Sequence, residues 1–362
     1  MPDTIHIVEP TLTDATGHCM SFVSSLAQTS PKINFKVWAD HLCELNTLGS
    51  NVLVEQYFFR KIRKFQCIFL YKKLLLSSNK ILISTASRLD LAIFNWVAKC
   101  TIPSNKIYFY FHWINSNEKK ITQLRKIAKK QPNLIILTPN QSVLNVFKEA
   151  GFENTKLVPY PTQHTFNGLP YPSHFKHAWY AGAARQDKGF GKVVDLIELA
   201  QKLELNIPFA IQASRDHYGK YDEKTEADVA RLHAFSYSHL KVCKDTLSVR
   251  EYHSYFEGAV CIQAYSSSDF SDRISGVTLD AMLAGCPIIS SSGTWTANQV
   301  RRFNAGVILD NTSPESMLSA LEEIINQYEF YCQNAMHASK ILKKEHEASH
   351  LANAVLMSSD QK

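Results

Sequence analysis

Two aspartates, Asp272 and Asp280, stand eight positions apart in the stretch SDRISGVTLDAMLAGCPIISSSG (271–293), around a turn of small residues that leads into an apolar run. A helix opening at Ser275, Gly276, Val277 and Thr278 leaves its first backbone amides unpaired, and with the positive end of its dipole they favour an anion. Asp280, one turn into that helix, can accept two hydrogen bonds from vicinal hydroxyls such as those of a ribose. Asp272, just before it, can reach the other end of the same ligand. A second group lies in AWYAGAARQDKGFGKVVDLIELA (178–200). There a strand ends at Ala181, Gly182 follows, and Arg185 and Lys188 project from a loop that passes through Gly189 and Gly191 into a helix. Arginine binds a diphosphate bidentately and lysine adds a compact charge. Together the two groups describe a nucleotide-sugar site: ribose at Asp280, diphosphate at the helix start with Arg185 and Lys188, hexose near Asp272. The same residues also fit plainer roles, with Asp272 a helix cap, Asp280 an exposed helix carboxylate and R-x-x-K a solvated loop. The spacing leaves both readings open.

Such residues need strands behind them. IHIVEP (5–10), KILIST (80–85), KIYFYFHW (106–113) and NLIILTP (133–139) read as buried strands, separated by helical patterns such as GHCMSFVSSLAQ and QSVLNVFKEAG. That alternation predicts an open parallel sheet covered by helices. It breaks at the proline-rich 156–175, which reads as a linker, and resumes with strands in KHAWYAGAAR, PFAIQASR, HLKVCK, GAVCIQAYS, CPIISSS and AGVILDN. The segment 314–346 supplies closing helices. The expected fold is α/β, with two Rossmann-like doubly wound domains facing a central cleft, where open sheets bind ligands beyond the carboxyl ends of their strands. The expected boundaries are 1–165, 166–335, and a closing helical segment 336–362 packed back on the first domain. In the first half, Gly17 opens the helix after the first strand, where its amides can approach a phosphate or a sugar. A glycine that merely permits a tight turn accounts for it equally well.

Composition narrows the function classes. At 362 residues with 45% hydrophobic and 20% charged content, the chain exceeds one core of ~150 residues and suits two globular domains. Its eight cysteines include no Cys-x-x-Cys pair and follow no secretory leader, so reduced thiols are expected, with neither a zinc site nor a disulfide framework. No apolar run approaches the ~20 residues of a membrane span, and the expected location is cytoplasmic. There is no G-x-G-x-x-G and no G-K-[ST], which argues against hydride-transfer dinucleotide binding and a P-loop.

GAARQDKGFGKVVDLI (182–197) followed by DRISGVTLDAMLAGCPII (272–289) resembles the C-terminal half of retaining GT-B glycosyltransferases of the "glycosyl transferases group 1" family. Those enzymes carry a Gly, an Arg and a Lys-Gly after the first strand of the second domain. Later they carry an acid, seven residues, a second acid, and Ala-Met-Ala-x-Gly-x-Pro-Val-Ile. TPNQSVLNVFKEAGFENTKLVPYP (138–161) resembles the family's last helix and linker of the first domain, and AVCIQAYSSS (259–268) the strand before the acid pair. Three departures stand out. Both acids are aspartate where glutamate is usual, the cation follows Gly182 only at Arg185, and the usual Gly-Phe-Gly is Arg273-Ile274-Ser275 with the glycine moved to Gly276.

The resemblance implies a sugar transferred with retention from a nucleotide diphosphate donor to a glycan or lipid-linked acceptor, as in bacterial cell-surface polysaccharide or lipopolysaccharide synthesis. It gives the acceptor to the first domain and a histidine near the donor sugar, a position that His112 matches, with His18 as a weaker match. A histidine satisfied at a strand end is the alternative for His112. The expected catalytic set is His112, Arg185, Lys188 and Asp272. The donor-binding set is Gly17, Gly182, Arg185, Lys188, Asp272, Ser275, Gly276, Val277, Thr278 and Asp280. No cofactor and no metal are expected, since helix amides and cations can stabilise the departing diphosphate and no Asp-x-Asp occurs. A catalytically silent partner subunit, favoured by the two aspartates, and a sugar-nucleotide epimerase are the alternatives.

The formal charge is +6, and cations cluster at 58–76, interleaved with Phe58, Phe59, Phe65, Phe69 and Tyr71, and again at 117–130. These segments suit an anionic membrane surface at the inner face of the membrane, with solvated helix faces as the alternative. No nucleic-acid reader motif accompanies them, and no nucleic-acid partner is expected.

Overall fold

The computed structural model describes residues 4–13, 17–45, 48–162, 174–214 and 221–356, with the side chains of Gly17 and His18 excepted. The chain forms two compact units, residues 1–163 with 345–362, and residues 164–344.

The first unit holds a seven-stranded, wholly parallel sheet of β1 (Thr4–Val8), β2 (Asn34–Asp40), β3 (Val52–Phe58), β4 (Lys80–Ile83), β5 (Ile107–Tyr110), β6 (Ile135–Thr138) and β7 (Thr155–Leu157). Their order in space is β3-β2-β1-β4-β5-β6-β7. The central strands are short β-branched and aromatic runs buried on both faces, as IYFY in β5 and IILT in β6 show. That is the composition a parallel sheet with two covered faces requires. The edge strand β3 is half-buried or exposed along its length, and only Phe58 at its end is buried.

The second unit repeats the plan with six parallel strands, β8 (His177–Tyr180), β9 (Phe209–Gln212), β10 (Leu240–Cys243), β11 (Ala259–Gln263), β12 (Ile288–Ser291) and β13 (Gly306–Leu309). Their order, β10-β9-β8-β11-β12-β13, is the 3-2-1-4-5-6 order of a doubly wound sheet. Strand order reverses between β1 and β4 in the first sheet and between β8 and β11 in the second, so each unit has one switch point. Eight of the helices open on polar caps. Ser87 and Ser248 form capping boxes with Asp90 and Glu251, and Asn117, Asn140, Asp222, Ser275, Thr294 and Ser313 each accept a hydrogen bond from a first-turn amide.

Residues 163–173 of the expected linker lie outside the described residues, and 155–157 form the last strand of the first sheet. The closing segment is three helices, Pro314–Asn326, Tyr328–Glu345 and Ala348–Leu356. The middle one runs through position 336 and stays with the second unit, because Ala335, Ala338 and Leu342 are buried and the Ser339 hydroxyl donates to the Leu283 carbonyl at 2.9 Å. The return to the first unit begins at residue 345. There the His346 ring donates to the Tyr160 carbonyl at 2.7 Å. Among the described residues no helix is long and apolar enough to cross a membrane.

Candidate functional site

The loop after β8 lies at the switch point of the second sheet. Gly182 takes a left-handed φ of +92°, which only glycine adopts without strain, and its amide donates to Gln212 Oε1 at 2.6 Å. A side chain at Gly182 would meet Lys188 Nζ at 3.1 Å and Val277 Cγ2 at 3.4 Å. The missing Cβ therefore makes room for the lysine ammonium beside the start of the helix Gly276–Leu283. The turn that carries Lys188 is fixed at Gly189, where φ is +72° and a Cβ would lie 2.2 Å from the Ala264 carbonyl oxygen. Close approach to the loop after β11 continues at Ser266, whose amide donates to the Asp187 carbonyl at 2.9 Å.

Three cations share this place. Lys188 is half-buried, and loss of water, then repulsion from Arg185 and Arg273, push its ammonium down to about 8 against the partial relief of Asp187. The Arg273 guanidinium is lowered by the same causes, burial first and Arg185 second. It stacks over Phe270 at 5.0 Å. Arg185 is held by Asp187 through two hydrogen bonds, Nε to Oδ1 at 2.8 Å and Nη2 to Oδ2. Asp187 and Asp269 are the carboxylates in this field, so three cations face two carboxylates.

The helix Gly276–Leu283 supplies the other half of the site. Ser275 is its buried cap, accepting from the Thr278 amide at 3.3 Å. The amides of Gly276 and Val277 precede the first intrahelical bond and have no acceptor among the described residues. Gly276 is exposed, with open space where a Cβ would stand and no left-handed φ, so neither packing nor backbone demands a glycine there. Thr278 is committed elsewhere: its buried hydroxyl donates to Gln263 Oε1 at 2.6 Å and lies 2.8 Å from the Thr296 hydroxyl. Its amide is engaged as well, by the Ser275 hydroxyl and by the Ser275 carbonyl at 3.1 Å, which leaves the amides of Gly276 and Val277 as the ones the site can use.

Asp280 is not an exposed helix carboxylate. Burial pushes its carboxyl up to about 7, and the Tyr252 hydroxyl, which donates to Oδ2 at 2.9 Å, opposes that rise. Oδ1 bonds no described residue and keeps its acceptor capacity. Asp272 is exposed on the preceding loop. The group next to it, Arg273, is the one that joins the field of Arg185 and Lys188.

The structure therefore brings Gly182, Arg185, Lys188, Ser275, Gly276, Val277 and Asp280 together at one carboxyl edge. Gly17 and His112 belong to the other unit. Gly17 begins the helix Gly17–Thr29 after β1, and the His18 side chain lies outside the described residues. His112 stands two residues past β5 and donates from Nε2 to the Ser84 carbonyl at 2.8 Å, with its ring edge-on to Tyr110 at 5.0 Å. Beside it is a carboxylate that sequence reasoning passed over. Glu9, buried at the end of β1, accepts from the hydroxyls of Thr11 at 2.6 Å, Ser84 at 2.8 Å and Thr85 at 2.5 Å. It ties the loops after β1 and β4 across the switch point and fixes the carbonyl that orients His112. Arg273 and Tyr252 were also passed over. Only the replacement of the family's Gly-Phe-Gly marked Arg273, and nothing in the sequence marked the others.

Among the described residues no cluster of three or more His, Cys, Asp or Glu could hold a metal ion. No family model and no curated protein matches the sequence. Solved structures are similar over nearly the whole chain. HepE from Anabaena in complex with UDP-glucose is 11% identical over 97% of this chain and 98% of its own, with a TM-score of 0.68. WaaG, a glycosyltransferase involved in lipopolysaccharide biosynthesis, is 12% identical over 98% and 100%, with a TM-score of 0.68. A trehalose-6-phosphate synthase, in work on enzymatic glycosyltransfer with retention, is 9% identical over 97% and 98%, with a TM-score of 0.66. At these identities the likeness shows the fold, and the chain consists of two parallel-sheet Rossmann-like domains with the α/β fold of GT-B glycosyltransferases.

Proposed function

We propose that the chain transfers a sugar from a nucleoside diphosphate sugar to a glycan or lipid-linked acceptor, with retention at the anomeric carbon and without a resident metal. The observation that carries this reading is the excess of positive charge at the second switch point, where Lys188, Arg273 and Arg185 meet the free amides of Gly276 and Val277. A diphosphate supplies the missing negative charge, and Asp280 Oδ1 accepts from the ribose diol. In the transfer, the bond from the anomeric carbon to the diphosphate oxygen breaks and the acceptor oxygen bonds to that carbon. The acceptor proton passes to the departing diphosphate. Charge grows on the leaving group as this happens, so cations and amides already aimed there stabilise the transition state more than the ground state. The carboxyl edge of the first sheet, with Glu9 and His112, is the acceptor side in this reading. The UDP-glucose held by HepE supports the donor class, retention by trehalose-6-phosphate synthase supports the stereochemistry, and the role of WaaG supports a cell-surface glycan as acceptor.

The test is a thermal-shift screen against UDP, GDP and ADP and their sugar conjugates, repeated on charge variants. A nucleotide at 100 times its Kd adds about 2.7 kcal/mol to stability. Lys188→Ala and Arg273→Ala should each weaken binding by about 1.5–3 kcal/mol, the usual range for a charge-assisted bond. Arg185→Ala should cost less, because Asp187 already engages that guanidinium. No shift with any nucleotide, or affinity unchanged in both K188A and R273A, would overturn the donor site. Tight binding with neither transfer nor donor hydrolysis would assign the chain to a nucleotide-sugar-binding partner subunit.

A further inference from the structure

The first unit carries a helix with two apolar faces. In Arg63–Leu75, the residues Cys67, Leu70, Tyr71 and Leu74 pack into the core of the first sheet, Tyr71 stacked on Phe94 at 4.0 Å. On the opposite side, Ile62, Phe65, Phe69 and Leu76 are 49%, 67%, 69% and 86% exposed. Their spacing of three, four and seven places them in one stripe along the helix. Phe59, 49% exposed, lies in the turn just before. Single exposed apolar residues are ordinary, whereas a stripe of them marks an interaction surface.

Charge decides what kind. Lys61, Arg63, Lys64 and Lys72 are exposed on the same segment and form no ion pair among the described residues, and no acid occurs between Glu55 and Asp90. The other basic segment serves as an internal control. In the helix Glu118–Lys130 the residues Ile121, Leu124, Ile127 and Ala128 are all buried, and Arg125 pairs with Glu149 at 3.3 Å. That is a solvated helix face. The two segments, similar as sequences, are therefore different surfaces. Phe58 and Tyr71, although aromatic and adjacent to cations, belong to the core.

We propose that the outer face of Arg63–Leu75, with the turn Phe59–Ile62, docks on an anionic lipid bilayer. Cations alone would serve a nucleic acid and apolar rings alone a protein. Phenylalanine and leucine framed by lysine and arginine, with no acid among them, match a helix lying in the plane of an anionic interface. This surface belongs to the first unit and is independent of the donor site, so either reading can fail without the other.

The test is co-sedimentation of the full chain with phosphatidylcholine vesicles, with and without phosphatidylglycerol, at low and high salt. Binding should require the anionic lipid and weaken with salt. The double variants F65S/F69S and K64E/K72E should each lower the partition coefficient by about tenfold or more, in proportion to the apolar area and charge removed. Their unfolding temperatures and nucleotide-induced shifts should stay those of the parent. No binding to anionic vesicles, or binding that neither variant weakens, would overturn the proposal. So would a dimer that F65S/F69S dissociates in the absence of lipid, or an oligonucleotide bound more tightly than the vesicles. K64E/K72E alters only exposed side chains and keeps the test decisive if the double serine variant is unstable.

Discussion

Asp280 and Lys188 carry opposite charges at one site, and both are pushed toward neutrality. Burial raises the Asp280 carboxyl to about 7 and lowers the Lys188 ammonium to about 8. The consequence for stability has a definite sign. Between the ordinary carboxylate range near ~4 and its folded value, the native chain holds a proton on Asp280 that the unfolded chain has released. Asp280 therefore contributes stability that falls as pH rises through that window and levels off above about 7, against the opposite contribution of His6, whose imidazole is pushed down to about 4 by burial. Asp280→Asn should remove that contribution, read as the difference between the pH profiles of variant and parent. Binding has two limbs: a ribose diol needs the Asp280 carboxylate and a diphosphate needs the Lys188 ammonium. Nucleotide affinity measured by calorimetry should rise through about pH 7 and fall above about pH 8. D280N should lose the acid limb, and Lys188→Arg should move the alkaline limb upward, since a guanidinium stays protonated there. A flat profile in the parent would separate both groups from the ligand.

Turns and helix starts decide which of these side chains meet, and two glycines separate structural demand from functional demand. At Gly189 an added Cβ meets the Ala264 backbone, and φ lies in the left-handed region. Gly189→Ala should cost more than the ~1–2 kcal/mol of that backbone region alone. Gly276 has space and an ordinary φ, so Gly276→Ala should leave the unfolding temperature unchanged or raise stability by about 0.4–1 kcal/mol. If the glycine exists to let an anion approach the helix amides, the same variant should lose nucleotide affinity. A stable G276A that binds as the parent does would remove that role. The central strands of both sheets were legible because IHIV, IYFY, HAWY and AVCIQ are mainly apolar runs, broken only by His6, His177 and Gln263. The strands β2, NFKVWAD, and β3, VLVEQYF, were not, since they lie toward the sheet edge and carry Lys36, Glu55 and Gln56. Gly182, Lys188 and the acid pair announced themselves by local spacing. Tyr252, Arg273 and Glu9 act only through convergence, Tyr252 from a helix 28 residues upstream of Asp280, and local spacing carries no trace of that.

At the scale of the whole chain, the polypeptide leaves the first unit near residue 163 and returns to it at residue 345, so the last helix closes a unit that the first residues began. Ala348, Leu351, Ala352 and Val355 of that helix are buried, and Lys80 at the start of β4 donates to the carbonyls of Val355 at 2.8 Å and Leu356 at 3.0 Å. The tie is reinforced by the Thr162 amide, which donates to the His346 carbonyl at 3.0 Å. Burial of Leu351 and Val355 alone contributes about 1.5–3 kcal/mol each, a large part of the margin of a domain. A chain ending at Glu345 should therefore lose stability in the first unit, seen in calorimetry as a transition moved to lower temperature. Lys188, Arg273 and Asp280 belong to the second unit, and nucleotide should still raise that unit's transition in the truncated chain. Loss of the nucleotide shift on truncation would mean that the donor site depends on the closing helix. An unmoved first transition would mean that the helix only covers a core already complete without it.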